Sequence, residues 1–283
     1  MYKTLATFGC SWTRGVGAHW NKDNDQGFEQ YEKEAWNWEL NDPCCFKGLL
    51  SKQLNLENFN ISKGGASNDF NFYHAEKIFG DPIKRKQFID SKPIVLWGIT
   101  STARIHRNNI IGKANLFLTN EDPHFDMFWD EDYQPNQKDL AIIKDNPEAV
   151  YRAIHLKYFY DHNYEVDQLA NKIELWNTIF ESYDIPVIWF DTFNTHSYYN
   201  NPKNFLQGGD LLTQMLDREK IEYPKKKRFY HLSTWTNDDP RLNWGVHHGL
   251  LNPYSHHPSS VAHKILAKML KPSIEAILHK YSN

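Results

Sequence analysis

A serine hydroxyl attacks a carbonyl carbon only when a base takes its proton. The stretch TLATFGCSWTRGVG places such a serine, Ser11, just after a short apolar run that stops at Gly9. A candidate base lies far along the chain, in His256-His257-Pro258, ahead of a segment with helical spacing. Two further equipped stretches lie between them, Gly64-Gly65-Ala66-Ser67-Asn68 and Gly98-Ile99-Thr100-Ser101. Glycines let a backbone N–H approach a ligand closely, and Asn68 and Thr100 add side-chain donors. Together these residue types suit acyl transfer: a nucleophile, a base, and donors for the charge that develops on the carbonyl oxygen. Arg104, in TSTARIHR, could clamp a carboxylate, a phosphate or a sugar acid.

Such residues need a scaffold that brings them together. Residues 3–8 read as a short buried strand, ENFNIS as a second, PIVLWGI as a third, IPVIWF as a fourth and FYHLS as a fifth. The continuous apolar run PIVLWGI suits a strand buried on both faces. Helical spacing falls between them. PCCFKGLLSKQL carries Pro43 in its first turn, and FNFYHAEKIF follows Ser67 or Asn68 as its cap. Residues 148–183 read as a helix broken near His162, and the final helical segment holds Pro272 as a kink. Strands alternate with helices, so the expected fold class is α/β. It is a three-layer α/β/α arrangement around a doubly wound, five-stranded, mainly parallel sheet. Sites in such sheets lie beyond the carboxyl ends of the strands, where Ser11, Gly65, Thr100 and Asp191 all fall. No repeat or linker divides the chain, so residues 1–283 read as a single domain. Residues 21–42 read as a polar surface excursion with one helical turn, and residues 101–145 as an insertion that forms a lid or wall.

Four motifs, in order, resemble those of the SGNH (GDSL-type) hydrolase superfamily, esterases and acyl hydrolases on an α/β/α fold of the flavodoxin type. FGCSWTRG resembles the nucleophile block, NISKGGAS the second, WGITS the third and HHPSSVAHKILA the last. The resemblance implies Ser11 as nucleophile and His257 as base. It implies an oxyanion hole of the Ser11 and Gly65 backbone N–H groups, with Thr100 where the family has asparagine and Asn68 as an alternative amide. The family's acid lies three residues before its histidine, where this chain has Tyr254. The partner that orients His257 is therefore open between a backbone carbonyl in a Ser-His dyad, Asp238 or Asp239 folding back, and His256. The implied substrate is a small ester or an O-acetylated carbohydrate.

Two other classes compete. With the acid and the asparagine missing, the fold could serve as a binding or assembly module. His247, His248, His256 and His257 could instead hold a metal, although no carboxylate or cysteine completes a metal-ligand spacing. The expectation is no metal and no cofactor. Net charge is -3, so no basic field draws nucleic acid, and PKKKR reads as a solvated turn. Cys10, Cys44 and Cys45 make no disulfide framework, which fits a reducing compartment. With no long apolar run and no basic-then-apolar leader, the expected location is the cytoplasm, with no membrane partner. The sequence leaves the oligomeric state open.

Overall fold

The computed structural model describes residues 2–102, 104–107, 114–117, 161–192, 196, 198, 202–222 and 240–280. Its strands are β1 (Thr4–Phe8), β2 (Glu57–Asn60), β3 (Pro93–Ile99), a separate antiparallel ribbon of β4 (Arg104–Arg107) and β5 (Ala114–Phe117), and β6 (Val187–Asp191). Every residue of β1, β3 and β6 is buried. Alternate side chains leave opposite faces of a strand, so one apolar run serves two cores. Leu5, Ile94, Leu96, Ile188 and Phe190 face one side. Ala6, Phe8, Val95, Trp97, Val187 and Trp189 face the other. The Phe8 and Trp97 rings, on partnered residues, stack with centroids 4.3 Å apart.

The first core is closed by α4 (Phe46–Leu54), α8 (Leu211–Arg218) and α10 (Ser260–Lys280). The second is closed by α5 (Asn68–Phe79), α6 (Pro82–Asp90) and α7 (His162–Ser182). That makes three layers, α/β/α. α7 begins at His162, capped by Asp161, and the 148–160 part of the expected helix lies outside the described residues. Ser67 caps α5, its Oγ accepting the Phe70 N–H at 3.1 Å. α10 runs unbroken through Pro272. Among the described residues, no helix is long and apolar enough to cross a membrane.

The sheet order is β2-β1-β3-β6, all parallel. Four strands are described where five were expected, and FYHLS lies outside the described residues. Beyond β6, Phe205 makes one parallel bridge to Trp189. The chain leaves β1 outward to β2, then crosses back to β3. Connections therefore depart from β1 and β3 in opposite directions, which opens a crevice at their carboxyl ends. Most of the expected 101–145 insertion lies outside the described residues; the β4–β5 ribbon belongs to it.

The 21–42 excursion is more ordered than its polar composition suggests. It forms α2 (Phe28–Glu34) and α3 (Trp38–Asn41). Asn37 caps α3 by accepting the Glu39 N–H. The Ala35 carbonyl accepts the Gly17 N–H at 3.0 Å. The stretch is thus fastened to the turn after β1.

Candidate active site

Ser11 opens a one-turn helix, α1 (Ser11–Arg14), directly after β1. Two glycines make room for that turn. A Cβ at Gly9, whose φ is +150°, would lie 2.3 Å from Thr13 Oγ1, and so would one at Gly98. Thr13 therefore sits in a notch between the ends of β1 and β3, which fixes α1 over the crevice. Gly15, at φ +84°, closes the helix and returns its N–H to the Ser11 carbonyl at 2.9 Å. Cys10 is fully buried in the first core, so it packs as a small apolar residue. Cys44 and Cys45 are also free thiols.

The loop after β2 runs beside this turn. Ser62 N–H donates to the Thr7 carbonyl at 3.0 Å and Lys63 N–H to the Gly9 carbonyl at 3.1 Å. Gly65 follows at φ +71°, with no atom within 4 Å of where a Cβ would stand. Among the described residues, neither the Ser11 N–H nor the Gly65 N–H has a hydrogen-bond acceptor. Asn68 is committed elsewhere. Its Oδ1 accepts the Thr100 N–H at 2.9 Å and its Nδ2 donates to the Thr100 carbonyl at 2.8 Å. The asparagine thus clamps the start of α5 to the end of β3, and one of its amide hydrogens remains for other use. Thr100 is fully buried, and its hydroxyl has no hydrogen-bond partner among the described residues.

His257 is buried, and its Nδ1 lies 2.6 Å from Ser255 Oγ. The surrounding bonds fix most of the hydrogen positions. Asn252 Oδ1 receives the Tyr254 and Ser255 N–H groups at 3.2 and 2.8 Å. Its Nδ2 therefore donates, to the His257 carbonyl and to the Tyr31 hydroxyl, both at 3.1 Å. Tyr31 must then pass its own hydrogen to Ser255 Oγ, its remaining partner. Burial pushes the Tyr31 hydroxyl up from its ordinary value, which keeps that hydrogen in place. The Ser255 hydrogen has two acceptors, Asn252 Oδ1 at 3.1 Å and His257 Nδ1. When it turns to Asn252, Ser255 accepts Nδ1–H, and Nε2 becomes the basic nitrogen of His257.

Chain start and finish meet here. A Cβ at Gly17 would lie 2.6 Å from the Tyr31 hydroxyl, so that ring packs on the turn after α1. Ser260 N–H donates to the Trp20 carbonyl at 2.9 Å. Cys10 and Trp12 share a core with Ala262, Ile265 and Leu266 of α10. Below them His263 Nδ1 accepts the Phe46 N–H at 3.3 Å, a cap for α4 that Cys45 does not supply. Ser11 Oγ and His257 share no hydrogen bond in the described structure.

Of the other expected residues, those that are described fall elsewhere. His256 adopts a left-handed φ of +53°, and burial lowers its basicity; Ser255, not His256, meets the His257 ring. Asp238 and Asp239 lie outside the described residues. Tyr254 turns away, its hydroxyl donating to both Asp25 oxygens at 2.9 and 2.8 Å. Burial pushes the Asp25 carboxyl up, but the bonds from Gly27 N–H and the Tyr254 hydroxyl help hold it below its ordinary value. Arg104 begins β4, in register with Phe117. His247 and His248 are exposed at the end of α9 (Pro240–His247), against Trp244. Among the described residues, no three metal-ligating side chains gather.

Sequence reading missed Ser255, Asn252 and Tyr31. The Asn252-Pro253 step is a turn signal, and it was the available clue that the carbonyl and hydroxyls before His257 are organised. It also missed a buried couple at the end of β6. Asp191 accepts His196 Nδ1 at 2.7 Å and His196 N–H at 2.9 Å, which pins the chain leaving that strand.

No family model matches the chain, and no curated protein matches it. Among solved structures, an acetyl xylan esterase (Est2A) from the rumen bacterium Butyrivibrio proteoclasticus is similar over 99% of this chain, at 13% identity and a TM-score of 0.43. The match covers 65% of that chain, so this one spans just under two thirds of its length.

Proposed function

We propose that the protein is a serine ester hydrolase of the SGNH type, acting on a small ester or an O-acetylated carbohydrate. Ser11 Oγ attacks the carbonyl carbon as His257 Nε2 takes the hydroxyl proton. The imidazolium donates Nδ1–H to Ser255, whose hydrogen turns to Asn252. The carbonyl oxygen, now negative, accepts from the Ser11 and Gly65 N–H groups. The C–O bond to the alcohol then breaks, and the alcohol leaves with the proton from His257. Water repeats the sequence on the acyl-serine and releases the acid. Asn68 and Thr100 brace the hole, and the remaining Asn68 amide hydrogen is a further donor to it. Arg104 is left as a substrate-side residue of the insertion.

The observation that carries this reading is the pair of uncommitted backbone N–H groups, Ser11 after β1 and Gly65 after β2, with open space at the Gly65 Cα. Each oxyanion donor is worth roughly 3–4 kcal/mol in the transition state. The Ser11–His257 bond forms as substrate arrives, since catalytic hydrogen bonds are often long in free enzymes. Ser11→Ala tests the reading: p-nitrophenyl acetate turnover should vanish while circular dichroism stays unchanged. Retained turnover would remove Ser11 from the mechanism.

A second reading, a binding or assembly module on the same fold, is favoured by one observation. Among the described residues, the partner on His257 Nδ1 is the Ser255 hydroxyl. A folded protein that no serine-directed probe labels would select it.

A further inference from the structure

Trp36 keeps 56% of its surface exposed, yet it is firmly placed. The carbonyl of Ala35, just before it, accepts from Gly17 N–H at 3.0 Å and from Asn41 Nδ2 at 2.9 Å. Its ring meets Trp38 edge-on at 5.9 Å, and Trp38 carries the Arg14 guanidinium at 3.7 Å. The indole lies directly on Gly64. A Cβ there would stand 2.5 Å from Trp36 Cη2 and 2.6 Å from Cζ3. Gly64 has no positive φ, so the absence of a side chain there serves the ring and not the backbone. The next residue is Gly65, with its N–H uncommitted and open space on its Cα. A half-exposed flat apolar surface therefore stands one residue from the open backbone of the candidate oxyanion hole.

We propose that Trp36 is a specificity-determining platform that stacks a flat apolar group, an aromatic ring, of an ester bound beside Gly65. This rests on the Ser11–Gly65 reading and narrows it to aryl-bearing esters. Ring stacking adds to simple area burial, so an aryl ester should bind about tenfold more tightly than an alkyl ester sharing its acyl group. The wall expected from residues 101–145 is then supplied at least in part by residues 21–42.

The test uses the full chain with Ser11→Ala, so that ligands survive. Benzyl acetate and ethyl acetate are titrated and followed by NMR. Benzyl acetate should bind about tenfold more tightly. Trp36→Ala should erase the difference, and Trp36→Phe should keep most of it. Gly64→Ala, whose methyl displaces the indole, should lose it as Trp36→Ala does. Equal affinities for the two esters, or a preference that survives Trp36→Ala, would overturn the proposal. Turnover of p-nitrophenyl acetate by the wild type and by Ser11→Ala separately decides the nucleophile. Failure of that reading is thus told apart from failure of this one.

Discussion

Ser255 Oγ stands 2.6 Å from His257 Nδ1 and is itself tied to Asn252 and Tyr31. Among the described residues, the group on that ring nitrogen is a neutral hydroxyl, where a triad sets a carboxylate to orient the ring. The difference has a measurable size. A neutral hydrogen bond is worth about 0.5–1.5 kcal/mol net, against roughly ten-thousand-fold in rate for a triad carboxylate.

Ser255→Ala should therefore lower kcat only about 2- to 12-fold, with KM nearly unchanged. Ser255→Asp should move the acid limb of the pH–rate profile to higher pH, because a carboxylate beside the ring favours imidazolium. Steady-state kinetics across pH checks both. A loss near four orders of magnitude in Ser255→Ala would mean that Ser255 does far more than orient the ring.

Asn68→Ala removes both bonds that hold Thr100 and leaves a buried N–H unpaired. Such a loss costs about 1–3 kcal/mol, or roughly 2–5 °C in Tm for a domain of this size. Differential scanning calorimetry reads it. An unchanged Tm would show that the clamp between α5 and β3 is not a structural tie.

Gly98→Ala drives a methyl toward Thr13 Oγ1, with Phe190 and Thr192 atoms 3.0 Å away on other sides. Overpacking of this kind costs about 1–3 kcal/mol. Because Thr13 sets α1, turnover should fall along with stability. Adding Thr13→Ala should restore part of both, and a double variant no better than the single would disprove the notch.

β3 and β6 were legible because burial on both faces writes an apolar run, as in PIVLWGI. Ser67 was legible as a cap because its role is local. Ser11, Gly65 and Thr100 were legible as strand-end residues, which is a statement about sheet topology. The Asn252–Tyr31 bond was not, since it joins residues 221 apart and leaves no periodic trace. The family pattern sets its acid three residues before the histidine, so it gives no pointer to Ser255, two residues before His257. Residues 21–42 looked like loose surface because their charged positions hide Tyr31 and Ala35, which pack inward with Val16 and Trp20.

His263 gives the stability a pH dependence. Burial, with the charges of Lys47 and His257 nearby, lowers its imidazole from 6.5 to about 3. The unfolded chain takes up a proton below about 6.5 that the folded chain refuses until about 3. Stability is thus fully present above that upper value and falls as pH drops through the window. At about 1.4 kcal/mol per unit, the loss from this group reaches roughly 2 kcal/mol near pH 5. His263→Leu should flatten that part of the curve in urea titrations, although it sacrifices the α4 cap. An unchanged slope would mean that His263 is not the group responsible.

The hydrolase reading stands most directly on one chemical event at Ser11. Incubation of the full chain with a fluorophosphonate, followed by peptide mass spectrometry, should yield one adduct. It should lie on Ser11, be absent in Ser11→Ala, and form much more slowly in His257→Gln. A folded protein that acquires no adduct, or carries it on another residue, would contradict the assignment.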